Sequence, residues 1–330
     1  MSKEYVIMTD SSCDLPQELA DQLGLEVLPL EVMADGKNYR NWLDGREIGF
    51  KEFYKLAREG KELKTSAVNT AAFEEKMEKL LGEGKDVLYI GFSTGLSTTY
   101  NSGESAAREL REKYPNRKIY TVDTLAASLG QGMITYYAAK KKEAGATIEE
   151  VRDFVESEKL HMCHWFTVDD LNYLKRGGRI SAATAAIGTM LSIKPVMHMD
   201  NEGHLVAVGK ARGRKAALKA LADSMESTML PGRNETIFIS HGDSLEDAEY
   251  LANLVRERTG VQDIVINYVG PVIGAHSGPG TIALFFWGQR KVKHRQRTAG
   301  KCIPPFLFSV LLYFIHNDSL QTVMLYAIIC

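Results

Sequence analysis

The sequence predicts an α/β protein in which an N-terminal parallel-sheet domain is followed by a second, mixed α+β domain, with a ligand site between the two. Strand, loop and helix signals alternate through residues 1–160, which is the order that builds a parallel sheet covered by helices. The alternation then gives way to a hairpin and further strands and helices over residues 161–288. Composition changes sharply at residue 289, which predicts that residues 289–330 lie outside the fold.

Apolar patterning predicts the elements of the first domain in order. Residues 5–8 (YVIM) and 87–90 (VLYI) are continuous apolar runs, typical of strands buried on both faces. Between them, apolar residues spaced i, i+4, i+7 and i+8 predict a helix after Thr65 and Ser66; they are Phe73, Met77, Leu80 and Leu81. A strand at 118–122 and a helix at 125–142 follow, and the capping box at 147–150 (TIEE) opens another helix.

The second domain has a different order of elements. Strands are predicted at 161–168, 194–199, 205–208, 236–240 and 263–269, and helices at 214–229 and 245–259. The turn residues 201–203 (NEG) predict that two of these strands form a hairpin. Residues 181–191 are almost uncharged and predict a helix that packs in the core, or else lines an apolar cavity.

The C-terminal segment is set apart by its composition. Residues 289–330 hold six Lys or Arg residues and one acid, followed by the apolar runs 306–315 and 323–330. Neither run reaches the ~18 residues that a membrane-spanning helix needs. We expect an appendage or an out-of-frame end; a tail that binds a membrane surface is the alternative.

Composition and missing motifs exclude several classes of function. The net charge of −2 gives no reason to expect a nucleic-acid partner. The chain has no Walker A sequence, no G-x-G-x-x-G and no H-E-x-x-H, and its four cysteines have no zinc spacing. We therefore expect no nucleotide, cofactor or metal site in this chain. Few cysteines and no room for a signal peptide before residue 5 predict a cytoplasmic protein.

Hydroxyl side chains cluster at three predicted junctions between strands and helices. They are residues 9–12 (TDSS), Thr65 with Ser66, and Ser93 with Thr94, the last pair followed by 97–99 (STT). Hydroxyls and free N–H groups at a helix start favour an anion such as a carboxylate or phosphate. Each junction could equally serve only as a helix N-cap.

A Gly-rich loop and two basic clusters could complete such a site. Residues 270–280 (GPVIGAHSGPG) surround His276 with four glycines, which allow the backbone to approach a ligand closely. Arg176 and Arg179 lie beside glycines in 175–179 (KRGGR), and Arg212 lies beside glycine in 212–215 (RGRK), a segment expected to open a helix. These arginines could grip a phosphate or the acids of a partner; a solvated charged surface is the alternative.

A rival pattern predicts a serine hydrolase. Residues 91–95 (GFSTG) fit G-x-S-x-G after a strand and before a helix, and His276 lies downstream of Ser93. No His-Gly-Gly segment for an oxyanion hole precedes them. A third hypothesis is an interaction module that binds no small ligand.

Taken together, several segments resemble the DegV family, which includes the fatty-acid-binding subunits of bacterial fatty acid kinase. The matching segments are 9–16 (TDSSCDLP), 64–66 (KTS), 91–100 (GFSTGLSTTY), 122–124 (VDT), 175–180 (KRGGRI) and 274–280 (GAHSGPG). They occur in order between residue 5 and about residue 288, and residues 289–330 match nothing in the family.

This resemblance implies a protein that buries a long-chain fatty acid between two domains. By resemblance, Thr65, Ser66 and Ser93 hold the carboxylate, His276 lies near it, and Arg179 is the arginine of the family's Gly-Gly-Arg sequence. A separate ATP-dependent fatty acid kinase subunit would form the acyl phosphate and supply the nucleotide and Mg²⁺. A carrier of this kind is not itself an enzyme, and a transient contact with the membrane is left open.

Overall fold

A four-stranded parallel sheet forms the N-terminal part of the fold. The computed structural model describes residues 4–181 and 192–290, so the segment 182–191 of one predicted helix and the tail from 291 lie outside it. Strands β1 (Tyr5–Asp10), β2 (Glu26–Leu28), β6 (Asp86–Gly91) and β7 (Ile119–Asp123) form this sheet in the order β2-β1-β6-β7. All of its pairings are parallel, as the alternating pattern predicted.

A small antiparallel sheet and six helices accompany the parallel sheet. The small sheet has the order β4-β3-β5, from β3 (Glu31–Ala34), β4 (Lys37–Arg40) and β5 (Leu63–Ser66). The helices are α1 (Gln17–Gln22), α2 (Phe50–Arg58), α3 (Thr70–Gly82), α4 (Thr99–Lys113), α5 (Leu129–Glu143) and α6 (Ile148–Glu158). The predicted apolar stripe of α3 is buried, and Thr147 and Glu150 form the predicted capping box of α6.

The second sheet is six-stranded and mixed. Its strands are β8 (Met162–Thr167), β9 (Ile193–Met199), β10 (Leu205–Arg212), β11 (Thr236–His241), β12 (Asp263–Tyr268) and β13 (Ile282–Trp287), in the order β10-β9-β8-β13-β11-β12. Among the described residues of this part, the helices are α7 (Asn172–Arg176), α8 (Arg214–Thr228), α9 (Leu245–Thr259) and α10 (Pro271–Ser277). The predicted β9–β10 hairpin is present. The predicted division into domains 1–160 and 161–288 stays a prediction.

Helix α5 joins the two sheets through one continuous core. Met133 of α5 packs in the same buried cluster as Ile90 of β6 and Phe285 of β13. Residues 129–135 of this helix are all buried, as expected for a helix that is covered on several sides. The helix therefore fixes one sheet against the other. In the part of the chain that the structure describes, no helix is long and apolar enough to cross a bilayer.

Three sequence expectations differ from the structure. Thr65 and Ser66 do not open a helix: they end strand β5, and Asn69 caps α3 by accepting the N–H of Ala72. Arg212 ends strand β10 and does not begin α8. The apolar run of β13 was not predicted as a strand, although all six of its residues are buried.

The Gly-rich segment 270–280 is largely a helix and not a loop. Pro271 occupies the first turn of α10, where its missing N–H costs nothing. Gly274 faces α2, where a Cβ would lie 2.7 Å from the Tyr54 hydroxyl and 2.8 Å from the Phe53 ring. Gly278 ends the helix with a φ of +79°. Gly274 thus allows close packing of α10 against α2, and Gly278 ends the helix. With these two roles, the glycine pattern indicates helix α10.

We predict that a chain ending after Lys291 folds and is more soluble than the full chain. Gln289 and Arg290 belong with the body, because the Gln289 N–H donates to the Thr228 carbonyl and Arg290 is 4% exposed. The apolar runs 306–315 and 323–330 would be an aggregation liability if exposed. Thermal unfolding and size-exclusion chromatography of both chains test this; an unfolded or aggregated short chain would refute it.

Candidate functional site

A cavity of about 460 Å³ lies between the two sheets, a volume within the range of roughly 300–1,000 Å³ that is common for small-molecule sites. Its wall is mainly apolar and includes Phe92, Phe166, Leu174, Met199, Leu205 and Phe285. The exposed residues Ser66, Thr94 and Thr98 mark its open side. This space can enclose a long apolar molecule with a polar group at one side.

Two neighbouring cross-strand rows of the second sheet form one wall of the cavity. In the first row Phe166 of β8 pairs with Ala283 of β13, which pairs with Ser240 of β11. In the next row on the same face, His164 pairs with Phe285. All five side chains line the cavity. The two central strands β8 and β13 therefore supply most of this wall.

Thr65 and His276 meet at the wall of the cavity. Thr65 Oγ1 at the end of β5 and His276 Nε2 in the last turn of α10 lie 2.8 Å apart and are joined by a hydrogen bond. Ser66, the neighbour of Thr65, is exposed and also lines the cavity. The structure thus brings together three of the predicted site residues, although Thr65 and Ser66 reach the site from a strand and not from a helix start.

The second nitrogen of His276 is enclosed by backbone. His276 Nδ1 is buried without a hydrogen-bond partner among the described residues. A Cβ at Gly177 would lie only 2.2 Å from this atom, so the position requires glycine. Burial, and secondarily the positive charge of Arg179, lowers the pKa of His276 to about 4. The imidazole is therefore neutral at physiological pH.

We predict that the imidazole of His276 in the ligand-free protein titrates near pH 4, below the ordinary histidine range of about 6.5. Burial favours the neutral form in the folded state, so protonation of His276 costs folded-state stability as the pH falls from about 6.5 towards 4. Imidazole NMR signals followed with pH, and assigned by their loss in His276→Gln, measure this midpoint. A midpoint near 6.5 would contradict the buried position described here.

Arg179 supplies a positive charge at the same place. Its guanidinium lines the cavity and donates from Nε to the Leu96 carbonyl at 3.1 Å and from Nη1 to the Gly177 carbonyl. Over the described ranges 4–181 and 192–290, it forms no ion pair with a carboxylate. Burial lowers the pKa of Arg179, but an arginine remains charged. A half-buried cation without a protein counter-ion is suited to an anionic ligand.

Arg176 and Arg212 do not share the site with Arg179. Both are exposed, and neither lines the cavity. The Arg176 guanidinium lies 4.6 Å from the centroid of the Tyr173 ring. Their predicted contact with a partner stays a prediction, and it would concern the outer surface.

The β9–β10 turn covers Ser93 and separates it from the cavity. Its side chain is fully buried, it is absent from the cavity wall, and its hydroxyl donates to the Gly203 carbonyl at 2.9 Å. Thr94 does line the cavity, but its hydroxyl donates to Asp123 at 2.5 Å. Neither hydroxyl proton is free for a carboxylate in this arrangement, so these two assignments need the turn or Asp123 to move.

The same geometry removes the basis of the hydrolase alternative. A serine nucleophile needs a hydrogen bond to its histidine base. Ser93 Oγ instead donates to Gly203, and His276 Nε2 is bonded to Thr65. The G-x-S-x-G match at 91–95 therefore marks a contact between the two sheets, made at a tight turn.

Three residues of the inner cavity wall are not among the site residues predicted from the sequence. His164 accepts the Ala127 N–H at Nε2 over 3.2 Å, and burial lowers its pKa well below the ordinary value. Ser128 and Ser240 present hydroxyls to the cavity. The alternation of β8 and β11 could place His164 and Ser240 on a buried face, but only the pairing with β13 shows that this face borders a cavity.

A family model and the similar known sequences point to the same family. The family model described as "Uncharacterised protein, DegV family" matches residues 4–289. A DegV domain-containing protein of Clostridium perfringens is 47% identical over 289 residues, covering 88% of this chain and 99% of that protein. Another, from Streptococcus pyogenes, is 35% identical over 285 residues, covering 86% and 98%.

Solved structures share the fold. A DegV family protein from Thermus thermophilus, described for its fatty acid binding, superposes with a TM-score of 0.77 at 33% identity, covering 86% of this chain and 99% of that one. DegV from Bacillus subtilis, described as a fatty acid binding protein, gives a TM-score of 0.74 at 29% identity, with coverages of 86% and 99%. The family model matches residues 4–289, a relative is 47% identical over 289 residues, and solved DegV structures share the fold; the chain belongs to the DegV family.

Proposed function

We propose that this protein binds a long-chain fatty acid in the cavity between its sheets and presents the carboxylate to a separate ATP-dependent kinase subunit. The observation that carries the proposal is an apolar cavity of about 460 Å³ with a cation, Arg179, in its wall and no protein carboxylate paired with it in the described ranges. The fatty acid binding described for the relatives from Thermus thermophilus and Bacillus subtilis supports it.

The carboxylate site would consist of Thr65, Ser66, His276 and Arg179. If neutral His276 carries its proton on Nε2 and donates it to Thr65 Oγ1, the Thr65 hydroxyl proton is free to donate to the carboxylate. Ser66 is exposed beside it and adds a second hydroxyl. Arg179 balances the negative charge, because a buried carboxylate needs both hydrogen bonds and a counter-ion.

The chemistry of the acyl phosphate would belong to the partner. A carboxylate oxygen attacks the γ-phosphorus of ATP, the bond from that phosphorus to the β,γ-bridging oxygen breaks, and acyl phosphate and ADP form. This chain would contribute position and charge, since phosphoryl transfer depends mainly on alignment and electrostatic stabilisation. Arg179, and Arg176 and Arg212 on the outer surface, are the proposed contacts with the transferred group or the partner.

The proposal is tested first by mass spectrometry of an organic extract of the purified protein, and then by titration of the delipidated protein with octadecanoic acid. We expect a co-purifying fatty acid and saturable binding with one site. A second arm adds a bacterial fatty acid kinase subunit and ATP and traps acyl phosphate with hydroxylamine. Absence of both extracted lipid and binding would refute the carrier function; binding without acyl phosphate would refute only the presentation to that kinase.

A further inference from the structure

A series of hydrogen-bonded side chains lies at the inner wall of the cavity, apart from the proposed carboxylate site. Ser128 and Ser240 both line the cavity, and their Oγ atoms lie 3.1 Å apart. Ser128 Oγ is in turn hydrogen-bonded to Asp14 Oδ2 at 2.5 Å. In the described ranges, no hydrogen bond joins these three residues to Thr65 or His276.

The hydrogen-bonded series ends at Ser240, whose hydroxyl has unused hydrogen-bonding capacity. Its Oγ has Ser128 Oγ as its one hydrogen-bond partner in the described ranges, although Ser240 is fully buried. Burial raises the pKa of Asp14 to about 8, so at neutral pH the carboxyl group can donate to Ser128, Ser128 to Ser240, and Ser240 into the cavity. If Asp14 is ionised, the direction reverses and Ser240 offers lone pairs to the cavity.

A strained backbone conformation at Ser128 helps to hold these hydrogen-bonded side chains in place. Ser128 has φ +54° and ψ −143°, a backbone conformation that residues with a side chain rarely adopt. Asp14 is fixed from its other side, since Oδ1 accepts the Gly270 N–H at 3.0 Å. The Ser128 and Ser240 hydroxyls therefore belong to a constrained, buried hydrogen-bond network and not to a flexible surface.

The surroundings of Ser240 leave part of the hydrogen-bonding capacity of its hydroxyl unused. On the side of β13 its neighbours in the cross-strand row are Ala283 and then Phe166, both apolar, and on the side of β12 its neighbour is Asn267. A methylene chain packed against Ser240 would leave Ser128 as the one partner of this hydroxyl, whereas an oxygen on the ligand would use its remaining hydrogen-bonding capacity. A further hydroxyl in the same wall, Ser277 Oγ, is buried and has no hydrogen-bond partner among the described residues.

We propose that Ser128 and Ser240 form a second polar subsite, which takes an oxygen substituent in the middle of the acyl chain, so that a hydroxy fatty acid is the preferred ligand. This inference rests on the proposed function. The two subsites lie at opposite ends of α10, because Gly270 contacts Asp14 and His276 contacts Thr65. The six residues from Gly270 to His276 span about 9 Å of helix, so the oxygen should lie towards the middle of the acyl chain and not beside the carboxylate.

The test compares octadecanoic acid with hydroxyoctadecanoic acids that carry the hydroxyl at successive mid-chain positions. Delipidated parent protein, Ser240→Ala and the control Ser224→Ala are titrated with each acid. Ser224 is a suitable control because its hydroxyl donates to the Ala220 carbonyl within α8 and does not line the cavity. We expect one or two isomers to bind parent and control about tenfold more tightly than octadecanoic acid, and this preference to vanish in Ser240→Ala.

Two results would overturn the inference. One is equal or weaker binding of every isomer relative to octadecanoic acid in the parent, as a trapped water on Ser240 would produce. The other is a preference that survives in Ser240→Ala. If that variant fails to fold, Ser128→Gly removes the neighbouring hydroxyl while allowing the positive φ, and it should lose the same preference. Failure of octadecanoic acid and all isomers to bind would instead refute the proposed function.

Discussion

Replacing Asp10 with alanine should lower the free energy of unfolding by at least about 3 kcal/mol. The carboxylate is fully buried at the end of β1 and accepts hydrogen bonds from the Tyr89 hydroxyl at 2.9 Å, the Gln131 amide at 3.1 Å and the Phe92 N–H at 3.3 Å. Ser12 donates to it through both its N–H and its hydroxyl. Each donor left buried without an acceptor costs about 1–3 kcal/mol.

Urea denaturation followed by circular dichroism measures this loss. Asp44→Ala is the matched control, because that carboxylate pairs with Arg46 at the surface, where ion pairs contribute about 0–1 kcal/mol. If Asp10→Ala does not fold, Tyr89→Phe removes a single donor and should cost about 1 kcal/mol. A midpoint for Asp10→Ala equal to that of Asp44→Ala would show that the buried network does not stabilise the fold.

Arg179→Met should weaken fatty acid binding by about 10- to 100-fold. A hydrogen bond to a charged group contributes about 1.5–3 kcal/mol, and about 1.4 kcal/mol corresponds to a factor of ten. Methionine keeps much of the length of the side chain and removes the charge. Arg176→Met, three residues earlier on the exposed surface, should leave the affinity within about twofold.

Titration of the delipidated variants with octadecanoic acid measures this difference. Acyl phosphate formation at saturating fatty acid then separates a role in binding from the contact with the transferred group or the partner proposed above. A rate loss at saturation would add the second role to the first. Equal affinities of Arg179→Met and Arg176→Met would remove Arg179 from the carboxylate site.

Local patterns in the sequence predict the framework well. The apolar runs at 5–8 and 87–90 lie in β1 and β6, and the spacing of Phe73, Met77 and Leu80 predicts the buried face of α3. Thr147 and Glu150 bond each other's backbone as the capping box requires. These features depend on residues close in sequence, so local spacing contains the necessary information.

Features that depend on distant partners could not be predicted in the same way. Glycines 274 and 278 suggested a loop, but Gly274 lies within helix α10 with no room for a Cβ beside Tyr54, and Gly278 ends that helix beside Tyr173. Likewise, Ser93 is a suitable carboxylate donor by sequence, and only the position of the turn at Gly203 shows that its hydroxyl is already used. The candidate site is therefore predictable in composition but not in geometry.

The position of β13 determines when during synthesis the cavity wall can first be complete. This strand is among the last described residues of the chain, yet it lies inside the six-stranded sheet, between β8 and β11. Its side chains Ala283 and Phe285 form part of the cavity wall. While Trp287 remains within the ribosome, β8 and β11 are unpaired on their facing edges and the cavity lacks a wall. A nascent chain thus completes the cavity wall only at a late step, and premature termination before β13 yields a product with two open sheet edges that is prone to aggregate.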